Sequence, residues 1–274
     1  MFMSILHPTT LTSEGIDAFA HALRIALDAE GRLTVLHISG DKRTPWTEFP
    51  GIRDTLVRWG KLDAGASRDE VGKIGLNAVK LRLKGTGPVK GILRRASRSD
   101  SDLLVLAAHR RDGISRFISP SNCEPVVRQA NVPSLILPMG CRGFVDIRLG
   151  TVALRRVVVV VSGRRVGVGV MLAVVRLLET LDVRDVEIGI LRVGKGRDAQ
   201  IELPRSRPGW SLVELSASGG SVGAIVDQVS EWQAGVLALT TWSRRGPLDA
   251  LRGSVVERVV RQVRCPVLAV PESM

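Results

Sequence analysis

Residues 103–138 read LLVLAAHRRDGISRFISPSNCEPVVRQANVPSLILP, and residues 236–271 read VLALTTWSRRGPLDALRGSVVERVVRQVRCPVLAVP. One lies on the other at a constant shift of 133 positions without a gap. Gly113 meets Gly246, Ser121 meets Ser254, and Pro133 and Pro138 meet Pro266 and Pro271. Glu124, Val126, Val127, Arg128 and Gln129 meet Glu257, Val259, Val260, Arg261 and Gln262. Any two strand–loop–helix–strand units share apolar periodicity, but periodicity does not enforce ungapped identity through a loop. The chain therefore carries an internal repeat.

Outward from the repeat, strands and helices alternate. Short β-branched runs at Ser4–Pro8, Leu33–Ile38, Ala78–Leu83, Leu103–Leu106 and Ser134–Leu137 predict five strands in the first copy. Helical spacing over Glu14–Glu30, with Ser13 as its cap, over Thr47–Trp59, Arg68–Ile74, Val89–Ala96 and Asn122–Ala130 fills the intervals. The second copy repeats the pattern with strands at Arg156–Val161, Val186–Leu191, Ser211–Leu215, Val236–Leu239 and Val267–Val270. Its helices fall at Val168–Leu181, Val222–Trp232 and Val255–Gln262. Its second and third strands are much closer in sequence than those of the first copy, so it is expected to lack a helix there. Between the copies, Gly143 to Leu154 holds two alternating runs around Leu149-Gly150 and reads as a small hairpin. The domain reading is a first module over 1–140, a linker hairpin over 141–154 and a second module over 155–274. Alternating strand and helix implies right-handed crossovers and a parallel sheet covered on both faces.

Composition agrees. Of 274 residues, 45% are hydrophobic and 4% aromatic, with no tyrosine; Val-, Leu- and Ile-rich chains suit buried parallel strands. No apolar run approaches the ~18 residues of a membrane span. MFMSILHPTT lacks the basic start and cleavage site of a signal peptide. Three cysteines, Cys123, Cys141 and Cys265, are too few and too scattered for a disulfide framework or a zinc site, and a reducing cytoplasm is the expected location. The net charge is +12. The basic residues are dispersed and no nucleic-acid-reading element accompanies them, so a solvated surface is expected rather than a DNA or RNA site.

Several segments resemble the universal stress protein family. Ser101-Asp102-Leu103-Leu104-Val105-Leu106-Ala107-Ala108-His109-Arg110-Arg111-Asp112-Gly113 is similar to that family's D-L-I-V-x-G-T-H-G-R-x-G. Gly253-Ser254-Val255-Val256-Glu257 is similar to its G-S-V-A-E, and Cys265-Pro266-Val267-Leu268-Ala269-Val270 to its C-P-V-L-V-V. Ile5 to Thr9 and Leu33 to Ile38 are similar to its first two strands. The resemblance implies an α/β fold of the adenine-nucleotide alpha-hydrolase-like kind. Two tandem open parallel five-stranded sheets, each of order 3-2-1-4-5 and flanked by helices, would pair through their last strands as an internal pseudo-dimer.

Ligands of such sheets sit outside the carboxyl ends of the strands, where the strand order reverses. Nucleotide-binding members of the family carry G-x-x-G, nine residues, then G-[ST]. In the first copy these positions are Ala107, Arg110, Pro120 and Ser121. All three glycines are gone, Pro120 lacks an N–H, and the family's aspartate falls on Thr10. Loss of ATP binding is expected there. In the second copy they are Thr240, Ser243, Gly253 and Ser254, with the aspartate position near Ser162. If ATP or AMP binds, Thr240, Ser243, Gly253 and Ser254 are expected near the phosphates, with Leu191 and Val193 near the base; no cofactor is certain. Trp242 stands at the family's histidine, where a ligand would lie.

Other constellations carry less. Gly167-x-Gly169 lacks the third glycine of a dinucleotide loop, which falls on Leu172. His7, His37 and His109 are expected at neighbouring strand ends, but no carboxylate joins them as a metal set. No nucleophile elbow, Walker A loop or H-E-x-x-H occurs. Cys123 and Cys265 read as packing residues. The sequence thus points to a non-catalytic cytoplasmic protein acting in stress response through an unknown protein partner, with degenerate nucleotide sites. The alternatives are a nucleotide sensor or weak ATPase using the second copy, and an electrostatic nucleic-acid binder.

Overall fold

A computed structural model of the chain describes residues 1–39, 45–85, 87–108, 120–162, 164–193, 207–216, 221–241 and 255–272. In the first half the strands are β1 (Ser4–Pro8), β2 (Arg32–Ser39), β3 (Asn77–Lys84), β4 (Leu103–Ala108) and β5 (Ser134–Pro138). The helices are α1 (Ile16–Asp28), α2 (Ile52–Arg58), α3 (Arg68–Lys73), α4 (Pro88–Arg98) and α5 (Pro120–Gln129). The second half has β6 (Arg156–Val161), α6 (Arg164–Thr180), β7 (Val186–Arg192), β8 (Trp210–Leu215), α7 (Val222–Glu231), β9 (Val236–Thr241), α8 (Val255–Val260) and β10 (Val267–Pro271). The helix expected to be missing from the second copy falls partly on residues 194–206, outside the described residues.

The strand order is β3-β2-β1-β4-β5-β10-β9-β6-β7-β8. Each set of five is parallel and has the expected order 3-2-1-4-5. The last strands pair as the resemblance implies, but the count of two sheets is corrected: β5 and β10 are hydrogen-bonded antiparallel neighbours and join both sets into one ten-stranded sheet. The register explains the join. Ser134 faces Ala269, Leu135 faces Leu268 and Ile136 faces Val267. Leu135 and Leu268 are the residues that the repeat superposes. The approximate two-fold therefore passes through this pair, and each last strand offers its copy the same edge.

Side chains alternate between the faces of the sheet. Ile5, Val35, Leu103, Val105, Val157, Val159, Ile188 and Leu268 enter one core, which holds the buried residues of α1, α2 and α6. Leu6, Leu36, Leu104, Leu106, Val158, Val160 and Val267 enter the other, with α4, α5, α7 and α8. Strands buried on both faces need apolar residues at every position, which is why the runs read without polar alternation.

Between β5 and β6 the chain makes a turn closed by an antiparallel bridge between Val145 and Val152. It is fastened to the first half. His21 on α1 donates its Nδ1–H to the Asp17 carbonyl at 2.7 Å, and its Nε2 accepts from the backbone N–H groups of Phe144 (3.0 Å) and Val145 (3.2 Å). Arg24 donates to the Gly150 carbonyl at 2.9 Å, and the Trp59 indole to the Ile147 carbonyl at 3.3 Å. Gly150 has φ +68, and a Cβ there would run into the Trp59 ring. The second half answers with α6: Arg176 donates to the Met1 carbonyl at 3.1 Å, and Thr180 Oγ1 accepts from Phe2 N–H at 2.8 Å. Arg24 and Arg176 each stand four residues before the end of their helices. Each catches the chain that leads into the other half's first strand.

One local expectation is overturned. Ser13 does not cap α1. It opens a 3-10 turn, Ser13–Gly15, and Gly15 precedes the helix with no side-chain cap. Leu11, at φ +66, turns the chain before that point, so helix entry is set by the route out of β1.

Candidate functional site

The reversal of strand order in the second half lies between β6 and β9, with β7 beyond β6. At the carboxyl ends of these strands is a cavity of about 210 Å³. Val160 and Ser162 line it from β6 and its exit, Val193 from the end of β7, and Leu239 and Thr240 from β9. Ser221, Val222 and Ile225 close it from the start of α7, and Val255 and Arg258 from α8. Ser221 is the cap of α7, accepting from Ala224 N–H at 3.2 Å. Thr240 is 4% exposed and its Oγ1 has no hydrogen-bond partner among the described residues. A buried hydroxyl without a partner costs about 1–3 kcal/mol, so its presence at a strand end beside a cavity marks a place where a polar ligand atom would be stabilised.

Of the residues singled out in the sequence, Val193 and Thr240 line this cavity. Leu191 is wholly buried in the core behind it. Ser243, Gly253 and Ser254 lie outside the described residues, as does Trp242. Ser162, placed in the sequence near the family's aspartate position, is also on the wall. Ser221 and Arg258 were not anticipated. The signal for Ser221 was a serine before an apolar run, which reads equally as a plain helix cap. Arg258 carried no signal.

The same point in the first half is built differently. Ala107 stands where Thr240 stands and brings no hydroxyl. Its carbonyl is met by Cys123 Sγ at 3.5 Å from α5. Thr10, at the family's aspartate position, holds Thr12 Oγ1 at 2.9 Å. Pro120 is the first residue of α5. His109, Arg110 and Asp112 are outside the described residues.

His7 is fully buried. Its Nδ1–H donates to the Val105 carbonyl at 2.9 Å, its Nε2 has no partner among the described residues, and burial pushes its pKa down to about 4. His37 instead donates its Nδ1–H to the Thr9 carbonyl at 3.0 Å. Among the described residues no group of three or more His, Cys, Asp or Glu is placed to hold a metal. Cys123 and Cys265 are buried, and desolvation pushes both thiols up to about 12, as fits packing residues. Among the described residues no helix is long and apolar enough to cross a membrane.

The sequence model of the universal stress protein family matches residues 1–138 and 195–271. The chain belongs to the universal stress protein family. Solved structures agree on the fold of this family member. A protein of unassigned function from Pseudomonas aeruginosa PAO1 is 17% identical, with TM-score 0.66, covering 98% of this chain and 92% of its own. A universal stress protein from Archaeoglobus fulgidus DSM 4304 is 16% identical, with TM-score 0.61, covering 98% and 96%. The cytoplasmic domain of a prokaryotic cation chloride cotransporter is 11% identical, with TM-score 0.55, covering 99% and 96%. No curated protein matches the sequence.

Proposed function

We propose that this universal stress protein is a non-catalytic cytoplasmic protein of the stress response. It acts through contact with a partner protein, as an internal pseudo-dimer whose nucleotide sites have degenerated. Family membership supports the stress-response role. The observation that carries the degeneracy is the cavity at the β6/β9 crevice. Its volume of about 210 Å³ is below the roughly 300–1,000 Å³ usual for small-molecule pockets. In the first half, Ala107 adds a Cβ where the family has glycine, and Pro120 removes one N–H that a phosphate would use. Isothermal titration of ATP, AMP and ADP into the full chain tests this: no saturable heat is expected below millimolar concentration, and micromolar binding would overturn it.

Thr240 favours a second reading, in which the second half senses a nucleotide or has weak ATPase activity. Its unpartnered hydroxyl would meet a phosphate oxygen, with Ser243, Gly253 and Ser254 completing the phosphate side and Val193 and Leu191 the base side. Under that reading Thr240→Val and Gly253→Val each abolish binding, while Ser121→Ala leaves it unchanged.

A further inference from the structure

The amino ends of the strands, opposite the cavity, differ between the halves in charge. In the first half an internal carboxylate sits there. Asp102 accepts from the backbone N–H groups of Met3 (3.0 Å) and Ser4 (2.9 Å), and pairs with Arg176 at 3.0 Å. The pairing registers place the same backbone in the second half. Ile5 faces Leu103 as Val157 faces Val236. Gly235 N–H donates to the Arg156 carbonyl at 2.8 Å as Asp102 N–H donates to Ser4 at 2.9 Å. Glu187 N–H donates to the Arg155 carbonyl at 2.9 Å as Arg32 N–H donates to Met3 at 2.8 Å. Arg155 and Arg156 therefore stand where Met3 and Ser4 stand, and Arg264 stands where Asn131 stands. Gly235 replaces Asp102, so the carboxylate is gone.

In its place is an open groove of about 1040 Å³ lined by Arg142, Arg155, Arg156 and Arg264. Arg156 is engaged: it pairs with Glu187 at 2.8 Å, donates to the Trp232 carbonyl at 3.3 Å and lies 5.7 Å over the Trp232 ring. Arg142, Arg155 and Arg264 are exposed, and among the described residues no carboxylate pairs with them. Arg142 N–H bonds the Arg264 carbonyl at 2.8 Å, which fixes two of the three side by side. The carboxylates on the wall are Glu187, already paired, and Asp185.

We propose that this groove binds an acidic segment of a partner protein, with a carboxylate entering where Asp102 stands in the first half. The first half shows that this strand-end backbone holds a side-chain carboxylate beside an arginine. The second half keeps the backbone, withdraws its own carboxylate and supplies arginines, whose planar forks suit carboxylates. The inference rests on the reading that the protein acts by protein contact, and gives that contact its chemistry.

The test is fluorescence anisotropy of a labelled octaglutamate peptide with the full chain at fixed ionic strength. Saturable binding is expected. The triple variant Arg142→Glu/Arg155→Glu/Arg264→Glu should weaken it at least about tenfold, the loss expected from one charge-assisted hydrogen bond. Gly235→Asp, which restores the internal carboxylate, should weaken it similarly. Should that variant not fold, the triple variant decides. Arg32→Glu/Arg94→Glu/Arg98→Glu makes the same charge change at exposed first-half positions and should bind as the parent does. Equal loss in this control would overturn the proposal, as would tripolyphosphate or single-stranded DNA binding tighter than the peptide through the same arginines. No binding at all would sink the groove while leaving the protein-contact reading standing. Micromolar ATP binding at the cavity would sink the reading of degenerate nucleotide sites while leaving the groove standing.

Discussion

In the first half His21, Arg24 and Trp59 hold backbone groups of the 143–152 hairpin, whereas in the second half Arg176 and Thr180 hold the first two residues of the chain. The strand registers of the two halves coincide where both are paired, although the β2–β3 ladder is longer than the β7–β8 ladder. What differs is which polar side chains meet the periphery. Hydrophobic alternation and strand pairing reproduce a sheet from different residues because any β-branched side chain fills a buried strand position. A buried histidine, an aspartate at a strand end or a hydroxyl in a crevice has no such substitutes. All four histidines also lie in the first half, so the halves should respond differently to acid.

The comparison breaks first at the seam. Leu135 and Leu268 are both fully buried on the approximate two-fold. Leu268→Ala should cost about 2–5 kcal/mol, read as a fall in the denaturant midpoint, and Leu135→Ala should match it because the sites are equivalent. Very unequal losses would show that the halves do not share the seam evenly.

Acid should act next. Burial lowers the pKa of His7 and of His21 from 6.5 to about 4. The unfolded chain takes up these protons from pH 6.5 downward and the folded chain does not. The stabilisation is therefore complete above pH 6.5 and is lost as pH falls toward 4, at about 1.4 kcal/mol per histidine for each pH unit in that window. Hydrogen exchange at pH 5 should rise in α1, β1 and the hairpin before it rises in β6 and β7. Equal onset in both halves would sink the assignment.

Gly150→Ala should cost about 1–3 kcal/mol, because the added Cβ meets Trp59 at φ +68. Gly60→Ala, at φ +64 with open space around it, should cost less. Equal thermal shifts would mean that Trp59 gives way freely.

The smallest effect belongs to the crevice. Thr240→Val removes the unpartnered hydroxyl and should leave the melting temperature unchanged or raise it by the equivalent of ~1 kcal/mol. A fall would reveal a partner that the folded chain supplies to this hydroxyl.

Much of this was legible beforehand. The ungapped match of residues 103–138 to 236–271 located both last strands, and it superposed Leu135 on Leu268 before their pairing was known. The strand at Val157 and the helix at Val222 followed from periodicity alone. Ser13 was misread because a serine before an apolar run signals a cap only if the chain enters the helix there, and Leu11 turns it first. The pairing of the last strands came from the family resemblance; that it makes one continuous ten-stranded sheet did not, because a last strand reads the same whether its free edge packs against its copy or hydrogen-bonds to it. For the site, Val193 and Thr240 could be named from the family pattern. Ser221 and Arg258 could not, since they reach the crevice through the packing of α7 and α8 over β9.

The sequence by itself determined the repeat, the alternation of strand and helix, and the replacement of all three phosphate-loop glycines in the first copy and of two of the three in the second. These are properties of neighbours along the chain, where side-chain type and spacing suffice. Only the tertiary structure decided that Asp102 is held by Met3 and Ser4, that Gly235 leaves the same backbone without its carboxylate, and that Arg142, Arg155 and Arg264 meet in one groove. Those groups lie far apart in the chain. They come together because parallel pairing gathers the amino ends of the strands within each half, and the antiparallel β5–β10 seam lays the segment after β5 beside the start of β10.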